Sequence, residues 1–206
     1  MQEIDNWLFL ILGLLGGLVT SYVFWWVLNH RYVPNIVFSP EVARSEVEFH
    51  PSGFRYQVAV KNIGKREAFN VRFRLRMRIK DVRHTGGTIF DYINLELVNN
   101  EFFMFAAGSM FRITPLPHKT ARFSTDVFPE GIQKKYRDGV LGMDDLFNEW
   151  AGAEMFLEVI ATDRFSGGMK FFRSPLYTKK DIRRGVFKGK IHDCIHKQTR
   201  TIGTKP

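Results

Sequence analysis

The stretch Ala68–Lys80, AFNVRFRLRMRIK, decides the fold class of this chain. From Val71 onward, apolar and cationic residues alternate without a break. The apolar set is Val71, Phe73, Leu75, Met77 and Ile79, and the cationic set is Arg72, Arg74, Arg76, Arg78 and Lys80. A period of two is typical of a β-strand with one buried and one exposed face. The stretch therefore predicts a β protein with a row of cations on its exposed side, which we call the arginine ladder.

Further strand patterns lie on both sides of this stretch. They cover residues 54–61, 88–97, 102–105, 110–114, 120–123, 156–162 and 170–174. Residues 131–150 have a helical pattern instead, with Asp144 as the candidate cap of a short helix that carries Leu146, Phe147 and Trp150. Short strands separated by turns predict a mainly β fold, an antiparallel immunoglobulin-like β-sandwich over residues 41–187 with a short helical insertion.

Two segments carry a resemblance to known families. The run Val58-Ala59-Val60-Lys61-Asn62-Ile63-Gly64, followed by Ala68-Phe69-Asn70-Val71, resembles the "V-x-N-x-G, then A-x-x-V" hairpin of immunoglobulin-like modules of the CARDB type. The residues Ser174, Tyr177, Asp181, Ile182, Gly185 and Phe187 are similar to the segment that closes the cytoplasmic domain of inward-rectifier potassium channels, with the spacing changed at two places. The pore loop and second membrane helix of that family are absent. The resemblance implies a cytoplasmic β-sandwich below a membrane helix, and nothing about potassium.

The N-terminal region predicts a membrane anchor. After a short tail, residues 1–6, residues 7–28 contain no charged side chain. As a helix they would span roughly 33 Å, which matches the hydrocarbon core of a bilayer. A signal peptide would have a basic start, a shorter apolar run and a small-residue cleavage site. Trp7 at one end and Trp25 and Trp26 at the other suit the two membrane interfaces.

Charge around this helix predicts its orientation. Residues 1–29 hold Glu3 and Asp5 and no Lys or Arg, whereas Arg31 and Arg44 follow the helix. The positive-inside rule then places the N-terminus outside and the β domain in the cytoplasm, with the helix in the inner (plasma) membrane of a bacterium. Cys194 is the one cysteine of the sequence, which agrees with a reducing compartment.

Small residues form a stripe along the helix. Gly13, Gly17 and Ser21 recur at four-residue spacing. Such a stripe allows two helix backbones to approach closely, so it predicts a homo-oligomer formed through the helix. The alternative is an ordinary glycine-containing helix that packs on nothing.

Net charge indicates what the domain binds. The chain has 30 Lys and Arg against 21 Asp and Glu, and two of those acids, Glu3 and Asp5, precede residue 30, which leaves 19 acids and a net charge of +11 beyond it. An anionic ligand, an anionic lipid or a partner membrane protein would complement this charge. The ladder residues Arg72, Arg74, Arg76 and Arg78 are the candidate surface, because guanidinium groups suit phosphate and carboxylate.

Two structural alternatives to a binding role of the ladder stay open. Acids on neighbouring strands, such as Asp91 and Glu96, could pair with the ladder, or the ladder could protect an exposed strand from aggregation.

Other function classes find little support. The sequence lacks a phosphate-binding loop, a nucleophile elbow and a zinc-protease helix motif, so we expect no catalytic residue, no cofactor and no enzyme. His192, Cys194 and His196 are too closely spaced for a structural zinc site, and we expect no metal. Nucleic acid is disfavoured because the aromatic residues alternate into the core.

These observations combine into one hypothesis with two alternatives. We expect a membrane-anchored binding or scaffold protein with an extended linker over 29–40, the β-sandwich over 41–187 and a basic flexible tail over 188–206. The first alternative is a membrane-permeabilising effector of a bacterial immune or signalling system, gated by ligand binding to the sandwich. The second is an extracytoplasmic envelope or adhesion module.

Overall fold

A long helix precedes a region rich in β-strands. The computed structural model describes residues 2–30, 34–48, 52–80, 90–187 and 194–195. Its helices are α1 (Gln2–His30), α2 (Glu130–Arg137) and α3 (Met143–Glu149). Its strands are β1 (Ile36–Phe38), β2 (Val42–Glu46), β3 (Phe54–Asn62), β4 (Ala68–Lys80), β5 (Phe90–Leu95), β6 (Glu101–Phe105), β7 (Met110–Ile113), β8 (Glu154–Asp163), β9 (Met169–Arg173), β10 (Ile182–Arg184), β11 (Val186–Phe187) and β12 (Cys194–Ile195). The prediction of a mainly β chain with an N-terminal apolar helix is confirmed.

Helix α1 is apolar over most of its length. Within it, Phe9–Leu28 is a 20-residue stretch long and apolar enough to cross a membrane, and none of it is buried in the protein. The helix begins before and ends after the predicted range 7–28.

The strands form two main sheets, a first sheet around β3 and a second sheet around β4. Strand β8 pairs with one side of β4, β5 and β6 pair in succession with the other side, and β9 pairs with the far side of β8, all antiparallel. The predicted alternation is confirmed. The five apolar residues Val71, Phe73, Leu75, Met77 and Ile79 are at most 2% exposed, and the ladder lies on the opposite, outer face of this sheet.

A β-bulge near the start of β4 explains one departure from the period of two. Ala68 and Val71 are both buried although three positions separate them. The register with β8 shifts between Phe69 and Arg72, and Asn70 between them has a left-handed φ of 48°. One extra residue in β4 therefore returns both side chains to the core face.

The first sheet is built around β3. Strands β1 and β2 follow one another along one side of β3, β7 lies on the other side, and β10 pairs with β2 in parallel, whereas all other pairs are antiparallel. Ser39 forms the kink between β1 and β2. Its backbone N–H donates to the Ala59 carbonyl at 2.8 Å, and its hydroxyl accepts the Ala59 N–H at 3.1 Å. Strand β1 thus lies inside the segment 29–40 expected as a linker.

The two sheets share one hydrophobic core. Tyr56, Val58 and Val60 of the first sheet belong to the same buried cluster as Leu75 and Val159 of the second. The sheets also meet along one edge, where an isolated antiparallel bridge joins Leu97 to Pro115.

The carboxamide of Asn62 is a tie between the sheets. Its nitrogen donates to the carbonyls of Arg66 (2.8 Å) and Phe105 (3.1 Å), and its oxygen accepts the backbone N–H groups of Asn35 (3.2 Å) and Gly64 (3.0 Å). Asn62 is fully buried, so these four bonds replace the water that its polar atoms lose. This residue is the Asn of the V-x-N-x-G segment.

Two local predictions were wrong. Residues 120–123 are not a strand, because a 3₁₀ turn that starts at Pro117 already closes with the Thr120 N–H donating to the Pro117 carbonyl (3.0 Å) and a second turn follows. Asp144 does not cap α3, because the carboxylate of Asp145 accepts the Gly142 N–H (2.9 Å) there. The helical insertion itself consists of two helices, α2 and α3.

The end of the described chain covers the outer face of the first sheet. Phe187 of β11 packs with Ala43 and Ala59 in a small buried cluster. Within the predicted tail 188–206, Cys194–Ile195 pairs with β11 as β12. The rest of the tail, including His192 and His196, lies outside the described residues, as does Arg31.

Candidate binding surface

The arginine ladder lies on a central strand rather than at a sheet edge. β4 has β8 on one side and β5 with β6 on the other. The interpretation that the ladder protects an exposed strand edge therefore does not apply to β4. Successive cations on this strand stand about 7 Å apart, from two residues of rise.

Carboxylates from the flanking strands neutralise three of the four arginines. Arg72 lies 3.2 Å from Glu101 of β6, and Arg76 lies 3.3 Å from Glu158 of β8. The Nε of Arg78 donates to Glu154 of β8 at 2.7 Å, and this hydrogen bond raises the pKa of Arg78.

The acidic residues that we expected to pair with the ladder, Asp91 and Glu96, do not form these pairs. Asp91 is 3.9 Å from Arg122, and Glu96 precedes the bridge at Leu97, outside the strand. The three acids that do pair were missed for a physical reason. Cross-strand pairs depend on strand order and register, and the predicted strands began one residue after Glu101 and two after Glu154.

Arg74 differs from its neighbours on the ladder. It is exposed, and it has no carboxylate within 4 Å among the residues that the structure describes. In register it faces Glu158, but that carboxylate engages Arg76 instead. Arg74 therefore presents a guanidinium group whose charge no described side chain neutralises.

Arg72 and Arg74 line a groove at the bulge end of the outer face. The groove has a volume of about 680 Å³. Its walls are formed by Asn70, Val71, Arg72, Arg74, Glu101, Phe102, Phe103, Ile160, Thr162 and Met169. Phe103 and Met169 at its rim are 77% and 76% exposed. The groove thus combines a free guanidinium group with apolar side chains, an arrangement that suits an anionic group attached to an apolar one.

The opposite end of the outer face is closed by its own side chains. Phe156 points outward from β8, yet it is only 1% exposed. The guanidinium of Arg173 lies 3.8 Å from its ring centroid, and Tyr92 contacts the ring edge-on at 6.2 Å. The open end, at Arg72 and Arg74, is therefore the candidate binding surface, while Arg76 and Arg78 belong to the closed end.

A second charged cluster has a structural role. Arg44 of β2 pairs with Asp144 of α3 at 2.8 Å and stacks 3.7 Å from the ring of Phe54. Burial, and then a hydrogen bond to Asp144, raises the pKa of Tyr56 above its ordinary range. These contacts fasten the helical insertion to the first sheet.

The small-residue stripe on α1 is open. A Cβ added at Gly13 or Gly17 would meet no atom within 4 Å, apart from the helix's own backbone. Ser21 is exposed on the same helix. Among the described residues, no group of three or more His, Cys, Asp or Glu side chains could hold a metal ion.

Comparison with known proteins gives little likeness. No protein-family model matches the chain, and no curated protein matches it either. Among solved structures, the chain is similar to the putative ApaA protein from Bordetella pertussis, with a TM-score of 0.35 and 16% identity over 70% of this chain and 91% of that chain. A TM-score this low does not define a shared fold.

Proposed function

We propose that this chain is a membrane-anchored binding protein. α1 crosses the inner membrane, the two sheets form an immunoglobulin-like β-sandwich in the cytoplasm, and the groove beside Arg74 recognises an anionic group carried by a ligand or a partner. The observation that carries the proposal is Arg74, an exposed guanidinium group without a carboxylate partner in the described residues, beside the apolar rim of the groove.

The anchor is supported by the exposure of α1. Its large apolar side chains from Trp7 to Trp26 are between 46% and 71% exposed where the structure describes them. Each of them would gain from transfer into hydrocarbon at about 25 cal/mol per Å². The β region has a complete core of its own and does not need this helix for packing.

The sandwich is supported by the shared core and by the turn at Asn62. In both sheets a long central strand, β3 or β4, has two shorter strands in succession along one side. The resemblance to CARDB-type modules lies in the segment where Asn62 ties the sheets together.

Oligomerisation through the stripe is part of the proposal. Gly13, Gly17 and Ser21 present a smooth, open face. Introducing Leu at Gly13 and Gly17 would separate two packed helices without a clash inside one chain.

The groove is tested with two small anions that differ by one apolar ring. The full-length protein in phosphatidylcholine nanodiscs is titrated with phenyl phosphate and with inorganic phosphate. We expect phenyl phosphate to bind at least about 5-fold more tightly, because burying an aromatic ring against Phe103 and Met169 adds about 1 kcal/mol or more.

The matched variants are Arg74→Glu and Lys80→Glu, which make the same charge change on the same face of β4. Arg74→Glu should weaken phenyl phosphate at least about 10-fold, whereas Lys80→Glu should change it less than about 3-fold, because Lys80 lies six residues away along the strand. Equal effects of the two variants would contradict the groove. An alkaline phosphatase fusion at the C-terminus that is active in the periplasm would contradict the cytoplasmic orientation.

A further inference from the structure

Strand β9 (Met169–Arg173) forms one border of the second sheet. It pairs with β8, and no described strand pairs with its other side. The Ser174 N–H donates to the Leu157 carbonyl (2.9 Å), and the Asp163 N–H donates to the Gly168 carbonyl (3.0 Å). Since hydrogen-bonded positions alternate in an antiparallel pair, the N–H and C=O groups of Met169, Phe171 and Arg173 point away from β8. Three consecutive outward positions are thus available to a further strand.

Two of the three side chains at these positions are unusual for an unpaired edge. Met169 is 76% exposed and Phe171 is 59% exposed, on the same outer face as the ladder. Free edges are commonly protected by charges, proline or bulges at such positions. Exposed apolar side chains next to free backbone groups are instead the features of a site for β-strand addition, where the backbone supplies affinity and alternate side chains supply specificity.

Charge indicates what would add to this edge. Lys170 and Arg173 have no carboxylate within 4 Å among the described residues. Arg173 shares the outer face with Arg74, beyond β8, whereas Lys170 points to the opposite face. A second copy of β9 would place two further cations along the new strand pair and no carboxylate, so charge disfavours self-pairing. An acidic strand would complement them.

We propose that the free edge of β9 binds an extended, acidic segment of a partner protein, which pairs with Met169, Phe171 and Arg173 as an added antiparallel strand. Apolar residues of the segment pack on Met169 and Phe171 on the outer face, and carboxylates at its alternate positions reach Lys170 on the opposite face. This proposal rests on the binding role proposed above and names its partner class, but it uses the backbone edge rather than the groove.

The first test changes the ligand and leaves the protein untouched. A fluorescein-labelled peptide of alternating Glu and Val is titrated against the full-length protein in phosphatidylcholine nanodiscs, beside the same peptide with its valine nitrogens methylated, because the valines that pack on Met169 and Phe171 are the residues whose N–H groups face β9. We expect methylation to weaken binding at least about 10-fold, because it removes the donors of an added strand and leaves the charge intact. Equal affinity of the two peptides would overturn strand addition.

The second test changes the edge. Phe171→Pro removes an N–H that points away from β8, so the ladder between β8 and β9 stays intact. We expect it to weaken the unmethylated peptide at least about 10-fold. Phe171→Ala keeps the N–H and loses only the ring, and it should weaken binding about 3-fold. Met169→Pro serves in place of Phe171→Pro if the latter lowers the thermal midpoint of unfolding. An equal loss of peptide affinity in the alanine and proline variants would overturn the proposal.

The remaining outcomes separate this proposal from its alternatives. If Arg74→Glu abolishes phenyl phosphate binding while Phe171→Pro leaves peptide binding intact, the groove stands and the edge site is overturned. If Phe171→Pro abolishes peptide binding while Arg74→Glu leaves phenyl phosphate binding intact, the edge stands and the groove fails. If the protein without peptide forms a dimer that Phe171→Pro dissociates, the occupant is a second copy and the acidic partner is overturned.

Discussion

The two sheets differ in what covers their outer faces. In the first sheet, Gln57 and Ala59 face away from the shared core and are still only 8% and 0% exposed, and Phe187 of β11 packs against Ala59 on that face. In the second sheet the outer face carries the arginine ladder, and nothing described covers its bulge end at Arg74. A sheet that is covered on both faces has only structural positions, whereas the open face of the second sheet has side chains free to bind.

The largest expected effect contrasts the two faces of β4. Leu75 is fully buried and Arg74, its neighbour, is exposed. We expect Leu75→Ala to lower the free energy of unfolding by about 3 kcal/mol, from lost transfer energy and a cavity. Arg74→Ala should change it by no more than about 0.5 kcal/mol, as exposed positions do.

Urea unfolding of the full-length protein in nanodiscs, followed by circular dichroism at 218 nm, measures both values. A cost for Arg74→Ala close to that of Leu75→Ala would show that the outer face is a packing surface. The contrast between the sheets would then be lost.

The sequence predicts β4 well because one strand contains the whole signal. Its alternation places Leu75 inside and Arg74 outside without knowledge of any other strand. The neutralised arginines could not be identified in this way. Glu101 is 29 residues from Arg72 in the sequence, and Glu158 is 82 residues from Arg76. Strand pairing brings each pair together, and sequence periodicity does not contain strand order.

Short strands were missed because their patterns are interrupted. β1 and β2 follow one another along the same side of β3 and are divided by a kink at Ser39, so neither is long enough to show a period of two. Arg74 was named as one of four equivalent cations. Its difference from Arg72, Arg76 and Arg78 arises from the pairing of Glu158 with Arg76, which is a property of the folded sheet.

A prediction of intermediate size concerns Tyr177, which contacts the first sheet. The Tyr177 hydroxyl donates to the Ser39 carbonyl at 2.6 Å, at the kink between β1 and β2. Burial raises the pKa of Tyr177 to about 12, against about 10 for an unfolded tyrosine. A group with a raised folded pKa holds its proton more tightly in the folded state. Its stabilisation is complete below pH 10 and is lost as the pH rises from 10 to 12, at about 1.4 kcal/mol per pH unit.

Urea unfolding at pH 8, 9, 10 and 11 measures this loss. Above pH 10, we expect the free energy of unfolding of Tyr177→Phe to fall less steeply with pH than that of the wild-type chain. At pH 8 the variant should be about 1 kcal/mol less stable, because it lacks the hydrogen bond. Burial also raises the pKa of Tyr56, so adding Tyr56→Phe should flatten the profile further. Parallel profiles for wild type and Tyr177→Phe would show that this hydroxyl is not buried as described.

The smallest expected effect on stability tests the open end of the ladder. Arg72 and Glu101 are 58% and 63% exposed, and a surface ion pair of this kind contributes about 0.5 kcal/mol or less. Glu101→Gln should therefore leave the unfolding midpoint nearly unchanged.

Glu101→Gln also removes a negative charge from the wall of the groove, so the affinity for phenyl phosphate should rise about 2- to 3-fold in low salt and less in 0.5 M NaCl, where charges are screened. Glu154→Gln is the matched control, because it makes the same change at Arg78 in the closed end. An equal gain for the two variants would mean that binding follows the net charge of the whole domain. A gain confined to Glu101→Gln would locate the anion beside Arg72 and Arg74, because only a nearby charge changes the affinity of one site while the net charge of both variants is the same.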